Sequence, residues 1–278
     1  MNPSSLARLP RRIVCLTEET TETLYLLEEQ DRLVGISGFT VRPPRARKEK
    51  PRVSAFTSAK IDKILDLEPD LVLGFSDLQA DIASELIRRG VAVHVFNQRS
   101  VEGILDMITV LGALVGATDR AATLVERLGQ GILQARRDAQ GLLRRPRVYF
   151  EEWNDPLISV IRWVSELIGI AGGSDCFAEF SSHALAQQRI IADPLEVVRR
   201  QPDIIIGSWC GKKFRPEKVA ARPGWDAIPA VREKRLYEIK SADILQPGPA
   251  ALTDGLRQLR DIMHRWAVDP SVIPNEPV

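Results

Sequence analysis

The phrase "LEPDLVLGF" at residues 67–75 returns, little altered, as "RQPDIIIGSW" at 200–209. In each copy a Pro-Asp pair follows a segment with helical spacing, and proline cannot continue a helix. An apolar run without polar alternation comes next. Such a run suits a strand buried on both faces, as in a parallel sheet covered by helices. An aromatic residue, Phe75 or Trp209, closes each run at or just past its carboxyl end. Ligands of open α/β sheets bind outside those ends. Superposing Pro69-Asp70 on Pro202-Asp203 predicts two lobes built alike; the alternative is that both copies follow the common grammar of α/β strand entry.

The rest of the chain alternates in the same way. Strand-like "RIVCL" (12–16), "RLVGIS" (32–37) and "VAVHVF" (91–96) are separated by helix-like "TTETLYLLEEQ" (20–30), "DKILDLE" (62–68) and "DIASELIRRG" (81–90), and 101–116 reads as a closing helix. Between 118 and 145 the apolar positions Ala121, Leu124, Leu128, Ile132 and Leu133 recur at helical intervals, with Thr118 or Asp119 as a cap and Pro146 beyond the end. Beyond it, "RVYFEE" (147–152), a helix near 162–171, "PLEVVRR" (194–200), "DIIIGS" (203–208), "RLYEI" (235–239) and a last helix at 249–267 resume the pattern; the tail after it reads as loose. The expected fold is therefore α/β: two Rossmann-like lobes with central parallel sheets, joined by one long backbone helix, with a ligand cleft between them. The expected divisions are 1–117 for the first lobe, 118–145 for the linker helix and 146–278 for the second lobe. A stiff helix as linker predicts only a small hinge motion.

Composition removes several classes of function. The 278 residues carry a formal net charge of +1, so no nucleic acid and no anionic membrane surface is implied as a partner, and the basic run "RPPRARKEKPR" (42–52) reads as a solvated loop. No stretch has the apolar length of a membrane span or of a secretory leader, which predicts a cytoplasmic protein; a trimmed mature form of a periplasmic protein is the alternative. The three cysteines, Cys15, Cys176 and Cys210, have no metal-ligand spacing, and their odd number argues against a disulfide framework. No phosphate-binding glycine loop, nucleophile elbow or zinc helix motif occurs. Glu151 and Glu152 adjoin, but successive strand residues point to opposite faces, so they do not form a catalytic pair. Of the three histidines, His94 sits in an apolar strand and His264 on the last helix, which leaves His183, in the loop "FSSHALAQQR".

The order "RIVCLTEETTETLYLLEEQDRLVGISGF", "RPP", "PRVSAFTSAKIDKILDLEPDLVLGF", "LIRRGVAVHVF", then "SELIGIAGG", "PDIIIGSW", "IPAVREKRLYEI" and "QPGPAALTDGLRQL" closely resembles the cobalamin-binding, helical-backbone class of ABC-transporter substrate-binding proteins. That class also includes iron–siderophore and haem binders, and the resemblance runs over roughly 12–267. It implies ligand-facing aromatics at Phe39, Phe56 and Phe75 in the first lobe and at Trp153 and Trp209 in the second, with Asp243 as a polar contact before the last helix. It also implies one acidic residue per lobe to grip a permease. Asp62 matches that position in the first lobe. In the second the equivalent place is Leu195, with Glu196 one step along, which would turn the carboxylate by about 100° around a helix. Ala171 and Arg260 stand where some cobalamin binders carry a disulfide.

The chemistry of these residue types points the same way. A corrin is large, partly apolar and edged with amides, so aromatic walls with few polar anchors suit it. An anionic ferric siderophore would instead want clustered Arg or Lys. His183 is a candidate ligand for the cobalt of a corrinoid, or a plain polar loop residue. Arg162 and Trp163 begin a helix whose N-terminus favours anions or carbonyl oxygens. Arg162 could bind the ligand there, or pair with Glu151 or Glu152. The expected function is non-catalytic binding of a cobalamin-like corrinoid, as an intracellular binder or a leaderless solute-binding protein. A haem or siderophore component of an ABC importer is the alternative, and an enzyme on the same fold the third option. No cofactor of its own is expected, only a metal chelate as ligand, with an ABC permease as the candidate partner, and the protein is expected to be a monomer.

Overall fold

A computed structural model of the chain describes residues 8–269. It falls into two compact units, one running to Gln98 and including Glu102–Arg127, the other comprising Arg99–Val101 and the residues from Leu128 onward.

The N-terminal unit contains β1 (Ile13–Cys15), α1 (Glu18–Leu26), β2 (Leu33–Ser37), α2 (Ala46–Glu49), β3 (Arg52–Ser54), α3 (Ile61–Leu65), β4 (Leu71–Phe75), α4 (Ala80–Arg88) and β5 (Val93–Phe96). Helix α5 (Val101–Val115) follows. Its sheet has the order β3-β2-β1-β4-β5, and every neighbouring pair is parallel. The order reverses direction between β1 and β4, the topological switch point of an open α/β sheet. As the uninterrupted apolar runs require, β1 and β4 are buried along their whole lengths. Val14, Leu16, Val53, Ile64, Val72 and Leu86 pack into one cluster. Strand β5 departs from expectation. It forms the sheet's edge, so "VAVHVF" is covered on one side only and Val95 is 39% exposed.

Helix α6 (Thr118–Gln140) is continuous across the boundary between the two units and ends five residues earlier than the periodicity predicts, before a turn at Gly141. The C-terminal unit then contains β6 (Arg147–Asn154), β7 (Leu157–Ser159), α7 (Arg162–Ile170), β8 (Ser174–Asp175), α8 (Leu195–Arg200), β9 (Ile204–Gly207), α9 (Pro216–Ala220), α10 (Pro229–Arg232), β10 (Leu236–Glu238), α11 (Ser241–Ile244) and α12 (Leu256–Ala267). Its sheet has the order β10-β9-β6-β7, with β8 also on β6. The pairs β10–β9, β9–β6 and β8–β6 are parallel, so the centre of this sheet is parallel as expected, and only the edge strand β7 folds back antiparallel on β6. Strands β3, β7 and β8 are too short to leave a period in the sequence. The final helix becomes regular only at Leu256, after a π-helical turn at Ala251–Gly255. The tail beyond residue 269 lies outside the described residues.

The repeated Pro-Asp phrase does one structural job twice. The residues just before the prolines, Glu68 and Gln201, both adopt the left-handed conformation at φ 45° and so leave the preceding helix. The next residue then anchors the first strand of its unit. The Asp70 main-chain N–H donates to the Arg12 carbonyl, while the Asp70 carboxylate accepts the Arg11 and Arg12 N–H groups at 2.7 and 2.9 Å. Likewise the Asp203 N–H donates to the Arg147 carbonyl, and the Asp203 carboxylate accepts the Arg147 N–H at 2.8 Å. Two units built alike therefore explain the repeat better than shared strand grammar alone.

Candidate functional site

Because the strands of the N-terminal sheet are all parallel, the segments that leave them gather at one edge. Phe39 follows β2 and is 52% exposed, a large apolar side chain left in solvent at a sheet's carboxyl edge. Phe56 follows β3 and is half-buried. Phe75 ends β4 but is only 5% exposed; it is a wall of the core more than a free surface, because its strand is central and covered. Gln79 ties the edge together. Its Oε1 accepts the Phe75 N–H at 2.9 Å, and its Nε2 donates to the Phe56 carbonyl at 2.8 Å and the Leu16 carbonyl at 3.4 Å. The next residue after β4, Ser76, is fully buried with φ 62°, a conformation that a non-glycine residue holds only when its surroundings impose it.

The segment leaving β1 carries two buried carboxyls that sequence reading did not single out. Glu18 and Glu19 open α1 and are 7% and 1% exposed. Burial, together with each other's charge, raises the Glu18 carboxyl to about 8. Burial also raises Glu19 to about 7, although the Thr17 hydroxyl donates to its Oε1 at 2.6 Å. The Oε2 atoms of both residues are buried without a hydrogen-bond partner. Neighbouring Glu22 differs, because Arg42 Nε donates to it at 3.0 Å. The only hint in the sequence was the run "TEETTE", whose polarity is at odds with a helix that packs almost wholly inside.

At the carboxyl edge of the C-terminal sheet the acids are satisfied. Glu151 is fully buried and takes a bidentate pair from Arg222 at 2.6 and 2.9 Å, the Tyr149 hydroxyl at 3.0 Å and the Trp209 indole N–H at 3.1 Å. Burial works against the Arg222 charge, but Glu151 outweighs it and raises that guanidinium further. Burial and the Glu151 charge push the Tyr149 hydroxyl well above its ordinary value. Glu152 points the other way and pairs with the buried Arg189, which also donates to the Ser159 carbonyl at 2.7 Å. The two glutamates thus serve opposite faces, as strand geometry requires.

Several expected contacts are placed elsewhere by the fold. Trp209 is buried, edge-on to Phe214 at 5.0 Å, so its ring belongs to the core. Trp163 is likewise buried, its indole N–H spent on the Ile244 carbonyl at 2.9 Å. Arg162 pairs with neither Glu151 nor Glu152 but with Glu166, one helical turn on, at 2.9 Å. Trp153 remains half-buried, with Lys212 Nζ 5.5 Å above its ring. Asp243 accepts from Gln258 Nε2 at 3.2 Å, which ties α11 to the last helix. His183 is exposed, and no group of three His, Cys, Asp or Glu residues among the described residues could hold a metal ion. Asp62 is exposed at the start of α3, whereas Glu196 is held by Arg199 at 2.7 Å and Arg200 at 2.8 Å. In place of a cystine at 171 and 260, Ala171 is buried and Arg260 forms an ion pair with Asp138. Burial holds the Cys15 thiol up at about 12. No helix among the described residues is long and apolar enough to cross a membrane.

Two α/β units linked through one long helix, with aromatic side chains at their carboxyl edges, define the class of two-unit solute-binding proteins. The chain belongs to the periplasmic binding protein family, whose pattern it matches over residues 13–242. It is 23% identical over 269 residues to an uncharacterized ABC transporter substrate-binding lipoprotein, YvrC, of Bacillus subtilis, covering 94% of this chain and 82% of that one. It is 26% identical over 271 residues to a vitamin B12-binding protein of Vibrio cholerae, covering 93% and 92%. Among solved structures it resembles the periplasmic vitamin B12-binding protein BtuF of Vibrio cholerae, with TM-score 0.75 and 21% identity over 94% of this chain and 99% of that one. The periplasmic heme-binding protein RhuT of Roseiflexus is similarly alike, with TM-score 0.77 and 23% identity over 91% and 99%. These last two likenesses establish the fold.

Proposed function

We propose that the chain is the solute-capturing component of an ABC importer and that its solute is a corrinoid. The observation that carries this reading is Phe39, a large aromatic ring more than half exposed at the carboxyl edge of the N-terminal sheet, with half-buried Phe56 in the segment that follows the neighbouring strand β3. A flat, partly apolar macrocycle gains from such a surface by stacking, and a few polar groups then set its orientation. The similarity to a vitamin B12-binding relative over 93% of this chain supports the same choice. Binding is capture and not catalysis. Asp62, exposed and without an ion pair among the described residues, is the acid offered to a permease; Glu196 is already neutralised by its own arginines. Neither the fold nor the relatives support the expected role inside the cell, and that role is not part of the proposal.

One feature favours an anionic chelate such as haem. Lys212 hangs over the rings of Trp153 and Trp209 at 5.5 and 5.2 Å, at the carboxyl edge of the C-terminal sheet. Titrating the protein with cyanocobalamin, hydroxocobalamin, haemin and a ferric siderophore, read by visible spectrum and calorimetry, separates the two. Corrinoid binding that weakens at least tenfold in Phe39→Ala is expected. Failure of either corrinoid to bind at tens of micromolar, with haemin binding, would sink the corrinoid reading. A hydroxocobalamin spectral shift that vanishes in His183→Ala would assign His183 to the cobalt.

A further inference from the structure

The strand order places Glu18 and Glu19 where β1 and β4 diverge, and at such a switch point the crevice outside the strand ends takes the ligand. Both side chains are more than nine-tenths buried, and each has a carboxyl oxygen with no hydrogen-bond partner. The fully buried Thr40 hydroxyl, in the segment that leaves β2 at the same edge, has no partner either. Buried polar atoms are almost always paired, so these orphans, joined at the same edge by the Ser54 hydroxyl at the end of β3, point to partners that arrive from outside the chain. The sign of the charge says which donors. A helix N-terminus at a strand end ordinarily attracts anions. Here Thr17 leaves the helix uncapped and spends its hydroxyl on Glu19, and two carboxyls occupy the first turn. Among the described residues no cation is ion-paired with either one, while Arg42 is engaged with Glu22.

We infer that Glu18 and Glu19 form a polar subsite that accepts hydrogen bonds from primary carboxamide groups on the rim of the ligand and turns away a rim of carboxylates. The inference rests on the corrinoid reading and specifies the chemistry of the ligand's edge: a corrin with amidated side chains fits, whereas its carboxylic acid counterpart and haem, with its propionates, do not. The aromatic surface supplies attraction that is blind to this difference; the acid pair supplies the choice.

The test uses two probes with one ring: dicyanocobinamide, whose rim is amidated, and dicyanocobyrinic acid, whose rim is carboxylate. Calorimetry at pH 8 should give the wild-type protein at least a tenfold preference for the amide form. In Glu18→Gln/Glu19→Gln that preference should fall below threefold, mainly because the acid form binds better. Unliganded thermal melts confirm that the variant folds, and each single Gln substitution should give an intermediate ratio. Equal binding of the two probes to wild type, or a ratio unchanged in the double variant, would overturn the subsite while leaving corrinoid binding in place. Binding of neither probe would overturn the corrinoid reading itself, and the subsite with it.

Discussion

The carboxyl edges of the two sheets begin from the same strand phrase and treat their acids in opposite ways. In the C-terminal unit Glu151 is enclosed by Arg222, Tyr149 and Trp209, and Glu152 by Arg189. Both acids there are answered from within the chain. In the N-terminal unit Glu18 and Glu19 are buried as deeply and are not answered. A paired buried acid makes a frame rigid, and removing its partner is expensive. An unpaired one is a standing cost, retained where function needs a group that stability would discard. The acids of the C-terminal edge need nothing further; those of the N-terminal edge are answered only by something that binds.

The largest effect is expected in the C-terminal unit. Arg222→Ala leaves the fully buried Glu151 without its charge partner and should lower stability by about 3–5 kcal/mol, as seen for broken buried pairs. Urea unfolding measures it. A loss no larger than that of a surface ion pair would mean that the two edges do not differ in kind. A second contrast lies within the repeat itself. Gly74 and Gly207 occupy the same place, yet an added Cβ at 207 would lie 1.9 Å from the Phe214 ring, whereas at 74 the nearest atom is the Gln79 amide oxygen at 3.0 Å. Gly207→Ala should therefore cost about 1–3 kcal/mol by overpacking and Gly74→Ala clearly less, with the midpoint of urea unfolding as the readout.

Much of this frame was legible beforehand, for reasons that particular residues make plain. Ile204, Ile205 and Ile206 are all fully buried, and three β-branched apolar residues in a row behind a Pro-Asp pair have few other uses. The long helix from Thr118 was written in its spacing. What could not be read was which strand would be an edge, since Val95 and Val72 look alike in sequence and differ only in sheet order. Nor could tryptophan placement be read. Trp163 and Trp209 stand near strand ends, but their N–H groups find the Ile244 carbonyl and Glu151, partners 81 and 58 residues away along the chain, and are drawn inward. Glu18 and Glu19 escaped notice because a Glu-rich helix start reads as a solvated, dipole-matched terminus. Only the fold reveals that it is buried.

That buried pair gives a pH signature. Both carboxyls are raised in the folded protein, to about 8 and about 7, above an unfolded value of about 4.3. Below that unfolded value both states hold their protons and no penalty exists. As pH rises the unfolded chain releases protons that the folded one keeps, so stability falls until the folded carboxyls titrate, and then levels off. Glu22 deepens the effect on Glu18, and Arg42 and Arg47 relieve part of it. Glu18→Gln/Glu19→Gln should be the more stable protein at pH 8 by about 1–2 kcal/mol, with the advantage gone near pH 4.5, in thermal melts without ligand. A wild-type melting curve that declines no more steeply than the variant's would remove the energetic basis for the contrast between the edges.

The smallest effect tests the strand anchor that the two units share. Asp70 uses both carboxylate oxygens, Oδ2 for the Arg11 N–H and Oδ1 for the Arg12 N–H, whereas Asp203 uses only Oδ2, for the Arg147 N–H. Asparagine keeps one acceptor oxygen and replaces the other with a donor. At position 203 the amide can turn its oxygen to Arg147 and preserve the anchor, losing only the charge assistance. At position 70 it must present N–H to N–H on one side, whichever way it turns. Asp70→Asn should thus cost about 1 kcal/mol and Asp203→Asn about half of that, measured as the difference in urea midpoints. Equal costs would mean that both aspartates act through charge near the strand start and not through the count of bonds. The doubled phrase would then be a shared electrostatic device instead of a shared clamp.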